Sequence, residues 1–285
     1  MTPPTHSAPA ELMAPIVPGE PLIAFKDVRI GFDEGDVLRG ISFEVWPGET
    51  KVLLGESGSG KTILMKMAAG LMRPDSGRIC VMGQDLAELP ERELLDFRRQ
   101  IGFVFQEGAL FDSLTVEENV AFRLMEENMD DAEIEARVRE VLRFVEMEAA
   151  IEKFPEELSG GMRRRVSIAR ALASRPPLIF YDSPTAGLDP VTSQTIITLI
   201  LRRRDLQGVT SLLATHRVQD AFGLANFRLD EASGRVVPLG AEERASVPPT
   251  NVLVLRDGQV YFEGATEDVL HSSDTYLKEF LVSAE

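Results

Sequence analysis

The stretch Gly55-Glu56-Ser57-Gly58-Ser59-Gly60-Lys61-Thr62 has the residue types needed to cradle a polyphosphate. Its glycines let the chain curl and bring successive N–H groups close to phosphate oxygens. Lys61 adds a point charge for the β- and γ-phosphates, and the Thr62 hydroxyl suits a Mg²⁺ ion bound with them. Asp182 closes the apolar run Leu178-Ile179-Phe180-Tyr181, where its carboxylate can hold a water of the Mg²⁺ shell. A second anion site is written at Ser159-Gly160-Gly161. Ser159 is a natural N-cap, and the two glycines leave the first amides of the following helix uncovered.

These residues need elements that aim them. Val52-Leu53-Leu54 is a short apolar strand running into the glycine loop, and beyond Lys61 the residues Leu64, Met67, Ala68 and Leu71 recur at helical spacing. In that order the helix directs its positive N-terminal end at the phosphates. Ile101-Gly102-Phe103-Val104-Phe105 reads as another buried strand, ending at Gln106, and parallel strands are expected at Leu178–Asp182 and Ser211–Ala214. Ahead of the loop, two strand-like stretches between Leu22 and Trp46 flank the turn-rich residues 31–35. From Val116 to about Phe154 the pattern turns helical and acidic. Ile134, Val138, Val141, Leu142 and Val145 form one apolar stripe there, with Asp130 and Asp131 as cap candidates.

At 285 residues the chain has room for one large α/β domain or two small ones. The expected organisation is a disordered Pro- and Ala-rich tail over 1–20, one domain over 21–265 and a closing helix over 266–285. A helical subdomain lies within the domain at about 107–175. A polar insertion at about 228–250 is bounded by Asp230 to Gly234 and by Pro248-Pro249, and a hairpin turns at Asp257-Gly258. The closing helix contains Tyr276, Phe280 and Leu281. The net charge of −16 argues against general binding to nucleic acid or to an anionic lipid surface. Residues 117–157 carry more than half of that excess, as a solvated helical face would. Arg163 to Arg165 and Arg202 to Arg204 are expected on solvated faces or in ion pairs with the acidic region. Cys80 is the only cysteine, which excludes an intrachain disulfide, suits a reducing cytoplasm and reads as a buried structural thiol. No run approaches the roughly 18 apolar residues of a spanning helix, and the first residues lack the pattern of a secretory signal.

The phosphate loop, Leu158-Ser159-Gly160-Gly161-Met162 and the run ending at Asp182, in that order, resemble the nucleotide-binding subunit of ATP-binding cassette (ABC) transporters. The resemblance covers about residues 22–265 and implies an ABC-type P-loop NTPase. That fold is α/β, with a mainly parallel core sheet, an antiparallel β subdomain and an inserted α-helical subdomain. It implies that ATP and Mg²⁺ bind at Gly55, Ser57, Gly58, Ser59, Gly60, Lys61 and Thr62. Phe32 matches the aromatic stacked on adenine. Gln106 matches the Q-loop glutamine joining Mg²⁺ to the membrane partner. Asp189, in Ala186-Gly187-Leu188-Asp189-Pro190, matches the D-loop, and His216 matches the switch histidine near the γ-phosphate. It also implies a homodimer in which Ser159, Gly160 and Gly161 of one subunit touch the γ-phosphate held by the other.

A narrower resemblance lies in Phe105-Gln106-Glu107-Gly108-Ala109-Leu110-Phe111-Asp112-Ser113-Leu114-Thr115-Val116-Glu117-Glu118-Asn119-Val120, supported by the 159–165 segment. It is similar to the ATPases of Mla-type lipid transporters. That implies a peripheral subunit on the cytoplasmic face of the bacterial inner membrane, with permease subunits, a periplasmic MCE protein and a STAS-domain protein as partners. Alternatives are an importer ATPase for another small solute, a non-hydrolytic regulatory ABC protein, and a soluble ABC protein of translation or DNA repair.

Two positions depart from the family pattern. Ser183 stands where the family places the glutamate that polarises the attacking water, and a serine hydroxyl cannot usefully accept that proton. Slow hydrolysis oriented by His216 and Mg²⁺, substitution by another carboxylate such as Glu107, and ATP-driven closure without turnover are the three consequences open to it. Arg217 stands where many relatives have Asp after the switch histidine.

Overall fold

The fold is described from a computed structural model over residues 19–33, 35–127 and 129–283. The tail expected over residues 1–20 lies outside these except for its last two residues. The strands begin with β1 (Ile23–Phe32), β2 (Gly35–Val45), β3 (Thr50–Leu54), β4 (Ser76–Val81), β5 (Gln84–Asp85) and β6 (Ile101–Val104). They continue with β7 (Leu178–Asp182), β8 (Thr210–Thr215), β9 (Phe227–Asp230), β10 (Arg235–Pro238), β11 (Thr250–Arg256) and β12 (Gln259–Ala265). The helices are α1 (Lys61–Ala68), α2 (Glu91–Arg98), α3 (Val116–Glu126), α4 (Asp131–Phe144) and α5 (Gly160–Ala173). After these come α6 (Pro190–Gln207), α7 (Val218–Asn226), α8 (Thr266–Leu270) and α9 (Thr275–Ser283).

The core sheet has the order β12-β11-β3-β8-β7-β6, parallel throughout except for β12, which returns antiparallel from β11. Residues of β3, β7 and β8 are buried along their whole length, as expected of strands covered on both faces. Alternation along them feeds two hydrophobic cores. Val52, Leu54, Ile179, Tyr181 and Leu213 join the helical side, whereas Leu53, Leu178, Phe180, Leu212 and Ala214 join α1, α2 and the second sheet. That second sheet, β2-β1-β4-β5, is antiparallel. The β11–β12 turn has Asp257 and Gly258 both at positive φ, the geometry of a two-residue hairpin loop.

Helices α3, α4 and α5 form the helical region inserted between β6 and β7. Thr115 and Glu118 make a capping box at the start of α3, and the buried Asn119 ties the preceding loop by donating to the carbonyls of Phe111, Leu114 and Thr115. In α4, Val138, Val141, Leu142 and the following Val145 are buried, with Ile134 partly so. Asp130 occupies the N-cap of α4 but makes no side-chain capping bond.

Three local readings need correction. The single closing helix is two helices, because Asp274 Oδ1 accepts from Leu277 N and starts α9 afresh after α8. Cys80 on β4 is half-buried rather than buried, and desolvation still raises its thiol pKa, the direction that makes it less reactive. The arginine rows follow the expectation only in part: Arg165 lies 4.0 Å from the Glu146 carboxylate of the acidic region, whereas its neighbours turn to backbone carbonyls. Arg163, Arg164 and Arg170 donate to the carbonyls of Leu158, Phe105, Gly108 and Ala109. Arg204 is fully buried and donates to the carbonyls of Leu224 and Phe227 and, at 3.0 Å, to Thr250 Oγ1. It thereby pins both ends of the 228–250 insertion, which contains the β9–β10 hairpin.

Candidate active site

Gly55 to Thr62 link β3 to α1 at the C-terminal edge of the parallel sheet. Gly55, Gly58 and Gly60 all sit at positive φ, which a side chain rarely adopts. A Cβ at Gly55 would come within 2.6 Å of Leu255 O, and one at Gly60 within 2.5 Å of Leu38 Cδ2. The loop is therefore a backbone cradle that no larger residue could form. Lys61 Nζ is held across its mouth, donating to Gly55 O at 2.8 Å, Glu56 O at 2.7 Å and Ser59 Oγ at 3.3 Å. Burial lowers the Lys61 pKa, opposed by the carboxylates of Asp182 and Glu56.

Asp182 ends β7, next to β8 and one strand further from β3. Thr62 Oγ1 lies 3.2 and 3.1 Å from its two carboxylate oxygens. Burial raises the Asp182 pKa, against the bond from Thr62 and the charges of Lys66 and Lys61. A threonine hydroxyl and a carboxylate are hard oxygen donors of the kind Mg²⁺ takes together with phosphates and water. These two donors fit an ion that arrives with its polyphosphate.

Ser183 follows with φ of 48° and donates its backbone N–H to Ala214 O at 2.8 Å. Its hydroxyl bonds to Asp182, one of the contacts that lower that carboxyl's pKa. His216 is exposed just past β8, and Phe32 is exposed at the end of β1. Asp189 caps α6, accepting from Val191 N and Thr192 N at 3.0 Å.

Ser159 caps α5 by accepting from Met162 N at 3.2 Å. Gly160 is open in front, its nearest neighbour for an added Cβ being Leu188 Cδ2 at 3.9 Å. Gly161 also serves packing: a Cβ there would collide with Thr192 Cγ2 on α6. Within one chain the two phosphate-sized sites open on different clefts. Glu56 to Ser59 line one of about 490 Å³ with Arg39, Arg256 and Tyr276, whereas Gly160 lines one of about 480 Å³ with Gln106, Glu107 and Ala186 to Leu188. Arg164, tied to Phe105 O at 2.7 Å, feels the charges of both Asp182 and Glu107, and burial lowers its pKa. Sequence reasoning missed Arg164 and Arg170 as braces of the Q-loop turn, because a row of arginines does not disclose which carbonyls it will meet.

Residues 38–186 match the family described as ABC transporter. A methionine import ATP-binding protein of Rhizobium johnstonii is 39% identical over 221 residues, which is 78% of this chain and 61% of that relative. A probable sulfate/thiosulfate import ATP-binding protein of Chlorella vulgaris is 36% identical over 232 residues, 81% of this chain and 96% of the relative. A solved structure described as the dimeric post-hydrolysis state of an ATP-binding cassette bound to ADP and Pi has a TM-score of 0.71 at 29% identity, covering 86% of this chain and 98% of that one. The chain thus spans 61% of the length of the methionine import relative.

Proposed function

The chain belongs to the ABC transporter family, and we propose that it is the ATP-binding subunit that powers a membrane transporter by closing head to tail on a second copy of itself. One observation carries this reading. The phosphate loop and the Ser159-Gly160-Gly161 helix start open on separate clefts of a single chain, so the second anion site serves a nucleotide held elsewhere. A two-fold dimer lets each subunit complete the other's site.

In that assembly Gly55 to Lys61 hold the phosphates of ATP, and Phe32, half exposed at 50%, supplies a ring for the adenine. Thr62 and Asp182, joined by Gln106 from the neighbouring cleft, would hold Mg²⁺ and its waters, and the ion would neutralise phosphate charge. His216 faces the γ-phosphate, and Asp189 meets the partner's site. Ser183 leaves hydrolysis slow, because no strong base stands at that position.

A membrane partner is supported by an apolar groove of about 370 Å³ behind the Q-loop, lined by Leu71, Phe103, Phe105, Phe111 and Phe122. Among the described residues no helix is long and apolar enough to cross a membrane. The 105–120 segment supports a phospholipid transporter at the cytoplasmic face of the bacterial inner membrane, with MCE and STAS-domain partners. The methionine and sulfate/thiosulfate import relatives favour a second reading, import of a small solute. Isolating the intact membrane complex and identifying its bound ligand decides between them. Recovery of the chain without any hydrophobic partner would overturn both. Lys61→Ala must abolish MgATP binding, and intact binding in that variant overturns the nucleotide reading itself.

A further inference from the structure

Arg217 reaches from the residue after His216 to both ends of the turn that precedes Asp189. Its Nη1 donates to Thr185 O at 3.4 Å and to Ser193 Oγ at 2.9 Å. Ser193 Oγ donates onward to Leu188 O at 3.5 Å. The guanidinium thus grips the start of the turn directly and its end through one hydroxyl.

A buried acid locks the same cation in place. Arg217 Nε lies 3.9 Å from Asp220 Oδ1, while Asp220 Oδ2 accepts from Thr185 Oγ1 at 2.5 Å and Thr215 Oγ1 at 2.8 Å. The Arg217 backbone N–H donates to Thr215 Oγ1 at 3.0 Å. Thr185, Ser193, Thr215 and Asp220 are all buried, so water cannot substitute for these bonds. A buried carboxylate needs a counter-charge, and Arg217 supplies one to Asp220. An aspartate at 217 would supply neither donor and would set like charges together.

The far side of the turn matters for the site. Ala186, Gly187 and Leu188 form one wall of the cleft that Gly160 and Gln106 also line. We propose that Arg217 is a positioning residue that couples the His216 loop to the 185–189 turn, so that nucleotide contact at His216 sets the surface offered to the second subunit. The proposal rests on the dimer reading above.

The experiment compares the full chain with Arg217→Ala, Arg217→Lys, Ser193→Ala and the Arg217→Ala/Ser193→Ala double variant. MgATP affinity is measured by fluorescent-nucleotide displacement, and ATP-driven dimerisation by analytical ultracentrifugation. Arg217→Ala and Ser193→Ala should each leave MgATP affinity within about two-fold while weakening dimerisation roughly ten-fold, with the double variant no worse than Arg217→Ala alone, since residues in one network do not add. Arg217→Lys, which keeps charge and a donor, should recover part of the loss. Ser193→Ala preserves the ion pair to Asp220, so its result stands even where Arg217→Ala fails to fold. Wild-type dimerisation in Ser193→Ala, or fully additive losses in the double variant, overturns the coupling. Failure of the unaltered chain to dimerise on MgATP overturns the dimer reading and the coupling with it.

Discussion

Thr62 Oγ1 stands between the two carboxylate oxygens of Asp182, 3.2 and 3.1 Å away, although 120 residues separate the pair in sequence. The contact assembles hard oxygen donors beside the phosphate loop and gives the buried Asp182 carboxyl a hydroxyl donor that opposes the rise burial imposes on its pKa. Asp182→Asn should therefore have opposite effects on binding and stability. Mg²⁺ affinity in the presence of ATP should fall about 10- to 100-fold, the usual loss when a residue supporting a bound metal is changed. The ligand-free fold should gain about 0.5–2 kcal/mol, because a desolvated charge has been removed. Isothermal titration and thermal melting read the two effects, and a destabilised Asp182→Asn would show that the carboxylate supports the fold.

The pH dependence follows from the same two residues. Burial raises the Asp182 pKa above its ordinary 3.8, so the native chain holds that proton more tightly than the unfolded chain does. Its favourable contribution is complete below 3.8 and is lost as pH rises through the raised value. Burial lowers the Lys61 pKa below 10.5, so the native chain holds that proton less tightly, and its penalty appears as pH falls through the lowered value. Burial thus disfavours the charged form of each group in the ligand-free fold. MgATP binding should thus begin to weaken above pH 3.8 on the acid side and below pH 10.5 on the alkaline side. At 100 times its Kd, MgATP should add about 2.7 kcal/mol to stability at neutral pH. Melting curves across pH with and without MgATP test this, and a ligand effect independent of pH would contradict it.

How much of this was legible beforehand depends on whether a residue acts through local spacing or through distant partners. The phosphate loop, β3, β7 and β8 could be read directly, because glycines, a lysine and short apolar runs carry their meaning within a few residues. The β11–β12 turn was equally readable from Asp257-Gly258. Arg164 and Arg204 were misread as solvated or ion-paired charge and Arg170 went unread, since their partners are carbonyls far along the chain. The packing role of Gly161 went unread for the same reason: its neighbour Thr192 belongs to another helix. The 228–250 insertion gave polarity and turns but no period, and its strands are short and only partly buried.

Ser183 sits at positive φ with its N–H fixed to Ala214 O, so the backbone already presents the side chain of this position in a set direction. Ser183→Glu should raise steady-state ATP turnover by about 10²-fold, the lower end of what a general base contributes. Glu107, next to Gln106 in sequence and lining the same cleft, is the candidate to act in its absence. Glu107→Gln should lower turnover of the unaltered chain yet leave the Ser183→Glu variant almost unaffected. If Glu107→Gln lowers both equally, Glu107 supports the Q-loop and is no substitute base.

Gly161 and Thr192 test whether the helix carrying the second anion site is held by shape. An added Cβ at Gly161 meets Thr192 Cγ2, at the first turn of α6, while Thr192 Oγ1 bonds Asp189 Oδ2 at 2.5 Å. Gly161→Ala should cost about 1–3 kcal/mol in chemical unfolding, as overpacking does, because α5 and α6 are forced apart. Thr192→Ser removes the offending methyl and keeps the hydroxyl, so the double variant should recover most of the loss, a coupling that residues in direct contact show. ATP-driven dimerisation should follow the same order, since the displaced α5 carries Gly160. Recovery of stability without recovery of dimerisation would mean that Gly161 also serves the nucleotide directly; a Gly161→Ala variant as stable as the original chain would remove the packing argument.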